Sequence, residues 1–280
     1  MEDPLGMIKT AGAEMRGAIA DNILLIDLAH FVIMAQSVRS DYGVAWSRRH
    51  PLACWFSTVL CSFSGTFLTN FLLGESLLAP FTSNYDMIVC TVVWYAVFYS
   101  PFDAFQSVAS FRPAKIFLCV TKELQRAHKV HLGVRSGIAS FPGQFTLHVI
   151  VGTTKGAGSG VIKSVQQWLH GSWRPHENEI MKPSATSKGT ILSAILFALD
   201  PLLDSKIAYL SACGILVGLK SLSLFGLSSP LSPIEGAVCR LLFGSESLLP
   251  QLKEADTVNV AQHESHDPPK PSPKNKKKKL

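Results

Sequence analysis

FRPAKIFLCVTKELQRAHKVHLG, residues 111–133, decides how the chain is read. The segment is apolar enough for a buried helix, yet Lys115, Lys122, Arg126 and Lys129 interrupt it at steps of seven, four and three residues. At about 100° per residue these side chains fall in one narrow cationic stripe on a helix, while Ile116, Phe117, Val120 and Leu124 point elsewhere. In a soluble protein the stripe would be an ordinary solvated face. The surroundings decide whether that reading holds.

Of 280 residues, 47% are hydrophobic and 16% charged, where a soluble domain carries roughly a quarter charged. The charges gather at ends and connections and leave long apolar runs, the pattern of a polytopic, all-α membrane protein. The net charge of +6 owes much to the final lysines and does not argue for a nucleic-acid partner. Cys54, Cys61, Cys90, Cys119, Cys213 and Cys239 form no C-x-x-C pair, so neither a disulfide framework nor a zinc site is expected. The acidic start, MEDPLGMIKTAGAEMRG, is not that of a cleaved signal peptide.

Seven spans are expected: about Ala18–Val38, Leu52–Leu73, Met87–Phe105, the striped segment, Phe145–Trp168, Gly189–Leu203 and Ile207–Leu227. The connections after spans one, three and five hold Arg39, Arg48 and Arg49, then Arg112 and Lys115, then Arg174, Lys182 and Lys188; the alternate connections hold few cations. The positive-inside rule then sets the N-terminus in the lumen and the C-terminus in the cytoplasm. Ser64-Gly65 in span two is echoed by Ser159-Gly160 in span five, and Pro101-Phe102-Asp103 by Asp200-Pro201-Leu202. Three spans separate the copies, so the expectation is an inverted repeat. The resulting division is a luminal segment at 1–17, three-helix repeats at 18–105 and 106–205, a seventh helix at 206–227 and a tail at 228–280. A short interfacial helix is expected at 230–249, followed by disorder. The closing KKKKL resembles a dilysine retrieval signal and would also attract anionic lipid.

Cations in mid-membrane cost several kcal/mol and must face water, a counter-charge or a headgroup. Lys122 and Arg126, one turn apart, suit a phosphate clamp. Span five is expected to break at Thr153–Gly160, exposing backbone near Lys155. Glycines in membranes more often serve close helix packing, and both uses stay open. The phosphate-loop pattern is incomplete. Asp21 and Asp27 either line a cation path or balance the stripe. Glu123, off the stripe, pairs locally or with a neighbouring helix. His30 and His148 read as packed, hydrogen-bonded histidines. No catalytic constellation and no metal cluster stands out, so an enzyme is not expected.

Lys122-Glu123-Leu124-Gln125-Arg126 resembles the K-E-V-x-x-R signature of the trimeric intracellular cation (TRIC) channels, with Leu124 in place of the usual valine. WFSTVLCSFSGTFLTNFLLGE, VVWYAVFYSPFDAF, KGAGSG and WRPHENEIMKPSATSKGTILSAILFAL are similar too, in family order over residues 20–225; span two keeps a single glycine, Gly65. The resemblance implies a homotrimer of the endoplasmic or sarcoplasmic reticulum and nuclear membrane, with a pore in each subunit. That pore would pass potassium and other monovalent cations as counter-current to calcium release. The resemblance also implies a phosphatidylinositol bisphosphate headgroup held by Lys122 and Arg126, with Gly156 and Gly158 as backbone donors. Pore or gating candidates are Lys122, Arg126, Lys129, Lys155, Asp21 and Asp27. A secondary transporter with inverted repeats, or a phosphoinositide-binding scaffold without flux, is the alternative.

Overall fold

The computed structural model describes residues 4–171, 179, 183–199 and 204–227, with isolated positions between 230 and 241. The echo at Asp200-Pro201-Leu202, the cations Arg174 and Lys182, and the tail with its dilysine end lie outside the described residues. So does most of the interfacial helix expected at 230–249. The chain divides into two units after Ser229, and the first contains the whole helical bundle.

All regular elements of that unit, among the described residues, are helices: α1 Pro4–Asp21, α2 Ile23–Tyr42, α3 Val44–Arg49, α4 Pro51–Leu73, α5 Asn84–Tyr99, α6 Ala104–Ser110, α7 Arg112–Ser140, α8 Phe145–Leu169, α9 Ala185–Ala198 and α10 Ser205–Leu224. By length and apolarity three can cross a bilayer unaided, α2, α4 and α10, or four if α5 and the bent piece after it count as one span. Polar side chains hold α7 and α8 below that mark. α9, at 14 residues, is about 21 Å long and short for a bilayer.

The structure corrects the expected spans at several points. The first span does not begin at Ala18. The chain kinks at Asn22, whose side-chain amide donates to the Ala18 carbonyl at 2.8 Å, and α2 starts beyond it. The segment expected as a luminal leader is largely α1, docked along α10. A Cβ at Gly12 would run into the Lys206 carbonyl, and Lys9 pairs with Asp204 at 3.1 Å.

The third span ends at Tyr99 and not at Phe105; the chain then turns by 91°. Pro101 has no N–H to give the Val97 carbonyl and cannot continue a helix. Phe102 and Asp103 take left-handed φ of 54° and 56°. Arg39, 6% exposed, donates to that Val97 carbonyl and pairs with Asp103 at 2.5 Å. It closes the bend from within and is not a loop cation.

The fifth span is not broken. α8 runs as one 25-residue helix through Thr153–Gly160, because the glycines are used for contact. A Cβ on Gly158 would lie 2.9 Å from the Gly65 Cα of α4, and one on Gly133 of α7 would lie 2.9 Å from the Gly152 Cα. Small residues at such crossings let backbones touch, which is how helices associate without water to drive them.

Two apolar cores flank this glycine-lined contact. Phe31, Val38, Val59, Val93 and Val97 join α2, α4 and α5; Ile19, Val130, Val134, Phe197, Tyr209 and Leu216 join α1, α7, α9 and α10. Between them lie the polar faces of α2, α4, α7 and α8.

Candidate pore and anion site

α7 turns Lys122, Arg126 and Lys129 inward and leaves Lys115 exposed, so three of the four stripe cations reach the interior. They meet His30 from α2, Ser62 and Ser64 from α4, and Lys155, Gly156 and Ser159 from α8, around a narrow cavity of about 20 Å³. His30 Nε2–H donates to the Ser62 carbonyl at 2.9 Å, with Lys129 Nζ 3.4 Å from the same nitrogen. Gln125, 2% exposed, donates to Asp27, which holds that carboxylate beside Lys129.

This chamber has a polar cavity on each side, and it shares lining residues with both. At Lys129 and Ser62 it adjoins a vestibule of about 340 Å³ bearing Asp27, Glu75 and Asp86. At Lys122, Arg126 and Ser159 it adjoins one of about 290 Å³ bearing Lys163, Lys220, Glu123 and Glu179. One vestibule is therefore acidic, the other basic, and the cationic chamber is the neck between them.

Within the basic vestibule Arg126 stands 3.1 Å from Glu123, a local i,i+3 pair on α7. The geometry is not that of a hydrogen bond, and the facing Nη1 and Oε2 atoms have no other partner. Charge rather than a hydrogen bond holds this pair. Lys163 is tied down by Asp41 at 3.1 Å and the Ser37 hydroxyl at 2.8 Å. Burial works against ionisation of Glu179, but hydrogen bonds from Ser187 and Ser184 outweigh it and hold the carboxyl below its ordinary range. Cations, hydroxyls and ample room suit a phosphorylated headgroup.

The sequence-predicted residues separate as follows. Lys122, Arg126, Lys129, Lys155 and Asp27 line these cavities. Asp21 is exposed at the end of α1, away from them. Gly156 lines the neck, but its backbone is helical, and a Cβ there would press on Val130 and Thr190. Gly158 is buried against α4. Neither glycine offers an unwound backbone donor, which corrects that expectation. His148 bonds the Phe141 carbonyl at 2.7 Å as a packed histidine. Gln125, Lys163, Glu179, Glu75 and Asp86 were not singled out from sequence. Lys163 had a signal, since Lys155, Ser159 and Lys163 repeat at four-residue steps and share a helix face.

A helical membrane protein with charged side chains gathered in a row of adjoining interior cavities is in the class of channels and transporters. Comparison with known proteins narrows the class. The family model described as TRIC channel matches residues 41–225. A Caenorhabditis elegans relative, "Trimeric intracellular cation channel type 1B.2", is 39% identical over 227 residues, covering 78% of this chain and 72% of its own. A solved structure of a trimeric intracellular cation channel from C. elegans in the absence of Ca2+ superposes with a TM-score of 0.73 at 37% identity, covering 79% of this chain and 97% of that one. Another, from work on the activity of TRIC counter-ion channels in calcium release, gives 0.67 at 27% identity, covering 72% and 92%. The chain belongs to the trimeric intracellular cation channel family, and it is a membrane channel protein rather than an enzyme.

Proposed function

We propose that each subunit conducts potassium and other monovalent cations along the path through the two vestibules and the neck. The protein works as a homotrimer in the endoplasmic or sarcoplasmic reticulum and nuclear membrane, with its N-terminus luminal and C-terminus cytoplasmic. Its current offsets the charge moved during calcium release. The observation that carries this reading is the row of three polar cavities, in which Lys129 and the Lys122/Arg126 pair line adjoining chambers.

A cationic neck repels the ion it should pass. Two devices remove the obstacle. An anionic phosphoinositide headgroup in the basic vestibule, held by Lys122 and Arg126, neutralises the neck from one side. Displacement of the α7 cations in the membrane field, at about 2.3 kcal/mol per charge per 100 mV, moves them out of the ion's way. Gly156 and Gly158 serve this site as the surfaces that let α7, α8 and α4 meet, and the headgroup contacts fall to side chains.

The test is current across a planar bilayer containing the purified protein in asymmetric potassium chloride, with phosphatidylinositol bisphosphate and both voltage polarities. Unitary steps reversing near the potassium potential are expected. Lys122→Ala is expected to assemble normally and to lose or deregulate the current; unchanged currents would remove Lys122 from the mechanism. Silence with labelled-ion flux retained would favour a transporter, and silence in both assays a scaffold.

A further inference from the structure

Glu179, on the connection between α8 and α9, is placed with unusual care for a loop carboxylate. Its Oε1 accepts the Ser184 backbone N–H at 3.0 Å, the Ser184 hydroxyl at 2.8 Å and the Ser187 hydroxyl. Its stem rests on Gly160 of α8, where a Cβ would stand 2.6 Å from Glu179 Cγ. That seat puts it in the wall of the basic vestibule with Lys122, Arg126, Lys163 and Lys220.

A helix N-terminus flanked by hydroxyls and cations is a natural anion site. At α9 the place is filled by the chain's own carboxylate. The cap proper does not need that charge, since the Ser184 hydroxyl accepts the Ser187 N–H at 3.3 Å. We infer that Glu179 is a tethered competitor for the anion site. Seated on Ser184 and Ser187, it opposes a phosphate arriving at Lys122 and Arg126. Displaced from Gly160, it yields both hydroxyls to that phosphate. Glu179 thereby sets how strongly the vestibule holds a phosphorylated ligand, an inference that rests on the phosphate reading of Lys122 and Arg126.

The test is binding of inositol 1,4,5-trisphosphate and inorganic phosphate to the full-length protein in detergent, and of phosphatidylinositol bisphosphate to the same protein reconstituted into lipid vesicles. Glu179→Gln keeps the acceptor and removes the charge. It should bind inositol trisphosphate about three- to tenfold tighter at low salt, with the gain shrinking as salt rises. Gly160→Ala, which pushes the stem off its seat without touching a charge, should move affinity the same way. A like gain for inorganic phosphate would extend the competition to any phosphate. Tightening confined to lipid vesicles would overturn the proposal, because Glu179 faces the headgroup and not the acyl chains. Wild-type or weaker affinity in both variants, with Lys122→Ala losing binding, would overturn it while leaving the phosphate site standing. Equal weak binding by wild type and Lys122→Ala would instead remove the phosphate site on which it rests.

Discussion

Arg39 illustrates what a single residue contributes to this architecture. Pro101 orphans the Val97 carbonyl four residues back, and the Arg39 guanidinium takes that carbonyl and Asp103 together. Arg39→Leu should cost about 1–3 kcal/mol, the penalty of an unsatisfied buried carbonyl. Pro101→Ala restores an N–H to Val97, so Arg39→Leu should cost less in that background. Thermal unfolding of the four variants in detergent as a double-mutant cycle checks this; additive effects would mean that the two residues act separately. Pro101 was legible as part of the close of the third span, but the sharp break at Tyr99 was not; Lys122, Arg126 and Lys129 were legible as neighbours on one helix face. The arginine 62 positions earlier was not, because its partner is fixed by how α2 meets α5. Gln125 escaped for the same reason, lying off the stripe and gaining its role from Asp27 on another helix.

Among elements, the α4–α8 crossing bears most directly on the pore. Gly65 meets the Lys155 backbone and Gly158 meets Gly65, so a methyl group has no room on either side. Gly65→Ala should destabilise by about 1–3 kcal/mol through overpacking and should shift Lys155 at the neck. Gly17 in α1 has open space around its Cβ position, so Gly17→Ala should be neutral or stabilising by up to about 1 kcal/mol. Thermal midpoints of the two variants, with single-channel currents for the first, provide the comparison. The glycine run in α8 left two physical uses open, an unwound ligand nest or a close crossing. Composition does not distinguish them, since each needs a missing side chain. What decides is the opposing surface: Gly65, Val130 and Glu179 come from three other parts of the chain.

The whole molecule is held partly by an N-terminal segment whose sequence reads as an appendage. Asp204, at the start of α10, accepts the Lys206 N–H at 3.0 Å and pairs with Lys9 of α1 at 3.1 Å; these bonds hold its carboxyl below the ordinary 3.8. A depressed carboxylate stabilises above the unfolded value and loses that contribution as pH falls through the folded one. Below about pH 4 α1 should therefore loosen from α10. Hydrogen exchange across residues 4–21 should show the loss in wild type at acid pH and in Asp204→Asn already at pH 7.

Charge at the scale of the subunit leads to a further expectation. Asp27, Glu75 and Asp86 make one vestibule acidic, while Lys163 and Lys220 help make the other basic, so the subunit is electrically polarised along its path. An acidic mouth concentrates cations before they meet the neck, and does so most where salt does not screen it. Replacing Glu75 and Asp86 by Gln and Asn should lower the unitary potassium conductance by roughly twofold in tens of millimolar salt. At 1 M, where the screening length is about 3 Å, the same variant should match wild type. The loss should be greater for current entering from the acidic side, because only those ions arrive through the altered mouth. A deficit that persists undiminished at 1 M would mean that Glu75 and Asp86 touch the ion or shape the path directly, and that the acidic vestibule is part of the filter rather than a funnel in front of it.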